Sequence, residues 1–302
     1  MRRFLTRFLV VGGIFGVLSG VKIFSPKEIR DCFSNANICS NIERLASWEV
    51  QPETEERIEC FKALQQPFYQ LATGTQFHAF VSADGRYVLK FFRHARWRLS
   101  PFIAALPLPP FLDKKRQQWV SKRKMSCFET FQSCVLAYRN FKAEMGLIYL
   151  QLSPPGNLGI TVTVVDSLGK AYEIAIDEVD FVLQRRATRT DDYLLQLRQD
   201  GQIERAQKVV DALLWFALKR AKRGYFDRDL HFVINFGFIE DQVVQIDTGS
   251  LYCDPQKGER GFYIEELGFA RKVLIPWLKK YYPELAAYAT HQINLMQASF
   301  SN

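Results

Sequence analysis

The sequence contains no CxxC pair, no G-x-S-x-G, no repeat and no low-complexity tract, and only four histidines are spread along its 302 residues. His78, His94, His231 and His291 stand too far apart to read as a zinc site, and the six cysteines (32, 39, 60, 127, 134, 253) share no ligand spacing. A metal-thiolate centre is therefore excluded as an expectation. A nucleophile-elbow hydrolase is excluded too, since neither His78 nor His231 has an evident nucleophile beside it. Charge is little help: 40 Lys and Arg against 32 Asp and Glu leave +8, too small an excess to point to nucleic acid, and no nucleic-acid partner is expected. Cys32 and Cys39 could close a small loop in an exported protein, while six thiols in a chain of this length are equally ordinary as reduced, buried residues. What is abundant is apolar and aromatic matter, 48% and 14%, enough to build one large domain or two lobes.

At the N-terminus Arg2, Arg3 and Arg7 precede an uncharged run from Phe8 to Val21. Residues 1–24 read as a hydrophobic helix serving as a signal peptide or a membrane anchor. The core of the run is shorter than the roughly 20 residues that cross a bilayer comfortably, but Phe4, Leu5, Ile23 and Phe24 extend it. Lys22, Lys27 and Arg30 balance the leading arginines, so the side of the membrane stays open. The expected location is membrane-associated through this segment.

Residues 25–66 form a helical lead-in, with Ile42, Leu45 and Trp48 and later Ile58, Phe61 and Leu64 at helical spacing. From Phe68 to Phe92 the texture alternates, predicting three strands around Gly74 and an Asp84-Gly85 turn. Residues 93–124 read as an inserted loop, apolar and proline-rich between two basic stretches. It would either touch an anionic membrane lipid surface, with Phe102, Ile103 and Phe111 entering the interface, or pack between elements with its charges solvated. A helix is predicted over about 127 to 152, then a hairpin around Leu168-Gly169, the strand DFVLQ, and a helix from Ile203 to Lys222.

The segment GYFDRDLHFVINFGFIEDQVVQIDTGSL follows, and with it the order of elements resembles the protein-kinase-like superfamily, which includes small-molecule kinases such as aminoglycoside phosphotransferases. The resemblance implies an α+β, two-lobed protein-kinase-like fold. Residues 67–186 would be an N-lobe built on an antiparallel sheet, and residues 187–302 a small, mostly helical C-lobe. It implies ATP and Mg²⁺ as cofactors. Gly74 in the first bend would cover the phosphates, Lys90 in YVLK would pair with them, and Glu144 would steady Lys90. Backbone near Gln184 to Arg186 would meet adenine. Asn235 and Asp247 would hold the metal with hard oxygen donors, and Asp229 would take the acceptor's proton. The sequence departs from the family pattern in three places: Gly74 stands alone, five residues before Asn235 lies Leu230 with Asp229 one further back, and no A-P-E follows Asp247. Three readings stay open: a membrane-targeted atypical kinase-like phosphotransferase of unknown substrate, a pseudokinase acting as a membrane-associated binding module, or a secreted or periplasmic protein with disulfides and no nucleotide role. Asp227-Arg228-Asp229 could also be a polar turn without chemistry. The protein partner is unknown.

Overall fold

The computed structural model describes residues 33–40, 42, 45–99, 104–152, 154–255 and 265–299. By their contacts residues 35–302 form one unit and residues 1–34 another. The expected N-terminal hydrophobic helix, residues 1–24, lies outside the described residues. Among the described residues no helix is long and apolar enough to cross a membrane.

The architecture is mixed α+β. The predicted meander forms as β1 (Phe68–Thr73), β2 (Phe77–Ser82) and β3 (Tyr87–Phe92), preceded by α1 (Thr54–Ala63). Asp84-Gly85 makes the second turn with Gly85 at φ 72°, a left-handed conformation glycine adopts without strain. Next come α2 (Pro110–Asn140), β4 (Leu147–Gln151), the β5–β6 hairpin (Thr161–Val165, Ala171–Ala175) and β7 (Phe181–Arg185). These seven strands make one sheet in the order β4-β7-β3-β2-β1-β5-β6. All its pairings are antiparallel except β1 with β5.

Two sequence expectations change here. The helix predicted over 127–152 begins at Pro110 and ends at Asn140, and Leu147–Gln151 is a strand. That strand is buried along its whole length beside β7, and a short continuous apolar run has no periodicity to tell strand from helix. The inserted loop of 93–124 is in large part helix, a turn at His94–Trp97 and then the first half of α2. Pro110 occupies the first helical position, where its missing N–H is no loss.

The remainder is β8 (Thr188–Arg189), α3 (Thr190–Gln199), α4 (Ile203–Lys222), β9 (Tyr225–Asp227), β10 (Phe236–Ile239), β11 (Gln242–Gln245), β12 (Leu251–Cys253), α5 (Ile275–Tyr281) and α6 (Pro283–Ser299). Pro283 separates the last two helices and opens α6. Two of the hydrophobic cores flank the candidate residues. One gathers the inner face of α2 (Phe131, Cys134, Val135) with Phe92, Leu150 and Val182 of the sheet. The other gathers Val210, Leu213, Leu214 and Ala217 of α4 with Phe236, Leu278 and Leu285. Segments 226–251 run between these cores, and that is where the candidate residues meet.

Candidate functional site

Directly opposed residues in an antiparallel ladder point to the same face, so the pairings Lys90↔Ala79, Lys90↔Val182, Val88↔Val81 and Val88↔Gln184 put all these side chains on one side of the sheet. This side also carries Phe92 and Val182, which pack on α2. Ala79 and Val81 are only half-buried, which leaves an apolar strip beside Lys90. Lys90 itself is buried at 7% exposure and Nζ donates to the Ile246 carbonyl at 2.8 Å. Burial pulls its pKa down, and the Asp247 carboxylate opposes that pull.

Below the sheet, β9 pairs with β12 and brings Asp227 to Leu251. Asp227 is buried: its carboxylate accepts from Ser250 Oγ, from Gln245 Nε2 and, at 2.8 Å, from the Asp229 amide. Arg220 of α4 stands 3.8 Å away and is itself bonded to Gln245 and Glu266. Asp227 is thus consumed by the fold, whereas the Asp229 side chain is exposed. The Asp229 carbonyl accepts from Asn235 Nδ2 at 2.7 Å and from the His231 amide at 2.9 Å, and the Asn235 amide donates to the His231 carbonyl at 2.9 Å. These bonds close the seven-residue loop Asp229 to Asn235, so the extra residue is taken up within the loop. The Asn235 carbonyl then accepts from Ile246 N at 2.7 Å, which seats Asn235 beside the strand end that carries Asp247.

Asp247 Oδ1 accepts from the Gly249 amide at 2.9 Å. Burial raises its pKa above the ordinary carboxylate value; the Gly249 bond and Lys90 work against this, and the neighbouring Asp227 and Asp229 add to it. A carboxylate held in such surroundings gains from a cation. The donor set fits Mg²⁺, which takes one or two protein oxygens and completes its shell with phosphate and water. Oδ2 of Asp247 is the carboxylate oxygen not bonded to Gly249, and Oδ1 of Asn235 is the end its Nδ2 anchor leaves to ligate. Among the described residues no group of three or more His, Cys, Asp or Glu could form an all-protein cage.

Three expected site residues sit differently. Glu144 follows the end of α2; its side chain is near Arg223 at 3.4 Å and its carbonyl accepts from Gln245 N, so it does not steady Lys90. The face of α2 turned to the site presents Thr130, Ser133 and Cys134 instead. Ser133 Oγ donates to the Thr248 carbonyl at 2.6 Å, Cys134 Sγ lies 3.6 Å from the same oxygen, and burial pushes the Cys134 thiol up to about 12. Gln184 is buried with Nε2 donating to Met145 O (2.8 Å) and Ile246 O (3.3 Å). The amides of Arg185 and Arg186 are bonded to Gly146 O and Arg86 O, so neither is offered to a base. Gly74 donates its amide to Phe77 O at 2.9 Å, and a Cβ there would meet only an ordinary contact, so nothing in the turn requires glycine.

Sequence reasoning missed Gln76, whose Nε2 donates to Gly249 O and lies 3.2 Å from Thr130 Oγ1 as well. It ties the β1–β2 turn to α2 and to the segment after Asp247. Arg93 and Arg96 hold the same turn through the Gly74 and Thr75 carbonyls. Glutamine in a turn has no sequence signal that would have marked it.

No protein-family model matches the sequence, and no curated protein matches it. Among solved structures the chain is similar to the bifunctional kinase-methyltransferase WbdD, with 15% identity over 75% of this chain and 42% of that one at a TM-score of 0.35. A second WbdD structure gives 13% identity, coverage of 77% and 44%, and a TM-score of 0.38. The ROP18 kinase domain in complex with AMP-PNP and sucrose gives 13% identity, coverage of 63% and 52%, and a TM-score of 0.33. The chain spans about half or less of the length of these proteins. At such identities and scores the likeness decides nothing about function, which rests on the site's own geometry.

Proposed function

We propose that residues 67–302 are a kinase-like phosphotransferase unit that binds ATP with Mg²⁺, acts on a substrate the sequence does not reveal, and is held at a membrane by the N-terminal segment. One observation carries this reading: a buried lysine in the third strand, Lys90, is aimed at the Ile246-Asp247 segment, with Asn235 seated beside it and the exposed Asp229 on the same loop. Taking Lys90 and Asp247 out of water carries a desolvation cost that their mutual attraction offsets only in part, and a phosphate on the lysine with a metal on the carboxylate would add one counter-charge to each. ATP and its metal supply both.

In this arrangement Lys90 orients the phosphates, Asp247 and Asn235 hold the metal, and Asp229 accepts the acceptor's proton. The apolar strip of Ala79, Val81 and Val88 would cover the base. The metal's chemistry when bound is to neutralise charge on the transferring phosphoryl group.

A second reading, a pseudokinase that binds nucleotide or partner without transfer, draws support from Cys134 on the α2 face nearest Lys90. No carboxylate of α2 is available there, since its Glu129 lies near Arg228.

A thermal-shift titration of the full chain with ATP and Mg²⁺ tests the site. At a ligand concentration 100-fold above Kd, mass action adds about 2.7 kcal/mol, or roughly 5 °C for a domain of this size. The shift is expected to require Mg²⁺ and to vanish in Lys90→Met and Asp247→Asn, with both variants folded. No shift up to millimolar ATP, or a shift that survives both substitutions, would overturn the proposal. Nucleotide binding with no phosphoryl turnover would favour the second reading, and turnover insensitive to Asp229→Asn would remove Asp229 as the base.

A further inference from the structure

The first half of α2 stands apart from the core. Between Pro110 and Met125 no residue is fully buried, and burial begins at Cys127. This stretch carries six basic residues (Lys114, Lys115, Arg116, Lys122, Arg123, Lys124) against one acid, Asp113. Arg116 pairs with Asp113, and Arg123 donates to the Arg98 carbonyl and lies 3.6 Å over the Trp119 ring. The four lysines are exposed and have no carboxylate partner among the described residues. Three large apolar side chains share the stretch: Phe111 is 55% exposed, Met125 57% and Trp119 38%.

At about 100° per residue, Phe111, Lys114, Lys115, Gln118, Lys122 and Met125 fall within an arc of about 100°, with Trp119 about 40° beyond one edge. One helix face about 20 Å long therefore presents lysines between apolar anchors at its two ends and flank. Lysine stems lie along apolar surface while their ammonium groups reach outward, so the mixture is compatible with a single contact plane.

We infer that this face of α2 docks on an anionic lipid bilayer, with Lys114, Lys115 and Lys122 against the headgroups and Phe111, Trp119 and Met125 entering the interface. Charge complementarity selects this occupant: a local excess of five positive charges suits a surface of anionic lipids, and exposed aromatic and methionine side chains suit the interfacial zone. A protein partner would leave the four lysines needing matched carboxylates in register; a bilayer offers mobile anions that adjust to the helix. The inner half of the same helix carries Thr130 and Ser133, which hold the Gln76 and Thr248 segments, so docking would present the site at a set orientation to the lipid surface.

The test is flotation of the full chain with vesicles of phosphatidylcholine alone or with 30% phosphatidylglycerol, comparing the native protein with K114Q/K115Q/K122Q and with F111S/W119S. All variants keep residues 1–24, so any difference between them reports the helix face and not the N-terminal segment. The lysine variant is expected to lose the phosphatidylglycerol-dependent gain, about a hundredfold in partition coefficient at low salt, taking roughly 1 kcal/mol per lysine near the surface. The native gain should shrink at 0.5 M salt. The apolar variant should bind both vesicle types more weakly. Unchanged melting temperatures check that the exposed substitutions leave the fold alone. Equal partitioning of native protein and lysine variant on phosphatidylglycerol vesicles would overturn the inference. So would a lysine variant that retains vesicle binding but loses affinity for a DNA or RNA oligonucleotide, which would assign the face to nucleic acid.

Discussion

Glu266 lies at 2% exposure with its carboxylate on Arg220, in the same buried network as Asp227 and Gln245. Burial is the largest influence and raises its pKa from 4.5 to about 7; Arg220 opposes the rise and Asp227 adds to it. A carboxyl group with a raised folded-state pKa binds its proton more tightly in the folded chain. Its contribution to stability is complete below the unfolded pKa and is lost as pH rises through the folded value. At 1.36 kcal/mol per unit, the shift corresponds to about 3 kcal/mol lost between pH 4.5 and just above 7. Glu266→Gln removes this titration and keeps an amide oxygen for Arg220. The stability of the native protein minus that of the variant, from urea unfolding followed by tryptophan fluorescence at pH 5, 6, 7 and 8, should therefore fall by about 2.5 kcal/mol across the range. Taking the difference cancels the four histidines and Asp247, which keep their environments in both proteins. A difference that is flat or that rises with pH would refute the reasoning: the attraction of Arg220 would then outweigh burial, and Glu266 would be an ordinary ion-pair carboxylate.

Glu144→Ala should cost less than about 1 kcal/mol, because its pair with Arg223 is solvent-exposed, and should leave any ATP-induced thermal shift unchanged. Gly249→Ala should destabilise by about 1–2 kcal/mol, since the new Cβ collides with the Gln76 amide, and Gln76→Ala in the same chain should restore more than half of the loss in a double-mutant cycle. In the native protein a thiol reagent should label the exposed Cys39 and Cys253 quickly. Cys127 and Cys134, whose pKa values burial pushes up to about 12, should react only on unfolding.

The elements with a clear period were legible in advance. β1 to β3, the β5–β6 hairpin and α4 each follow from alternation, from a turn residue or from an amphipathic stripe. The boundary between α2 and β4 was not, because Leu147–Gln151 is buried on both faces and carries no alternation. The helix at Pro110 was obscured by its prolines and by a charge pattern with no apolar stripe, which is the pattern of a helix that barely touches the core.

For the site, the resemblance in motif and element order singled out Lys90, Asn235, Asp247 and the Asp227-Arg228-Asp229 triplet as the residues to examine. Which side Lys90 faces depended on the register of β3 with β2 and β7, a relation between segments up to about a hundred residues apart that only packing sets. The division of labour between Asp227 and Asp229 was decided the same way. β9 pairs with β12 and carries Asp227 into the Arg220 network, while the loop leaves Asp229 in solvent. Glu144 was chosen by its place in the chain and excluded by where α2 ends. What a residue is and how far it lies along the chain were written in the sequence. Which charges meet was decided by tertiary structure, because desolvation and Coulomb interaction depend on neighbours in space and not on separation along the backbone.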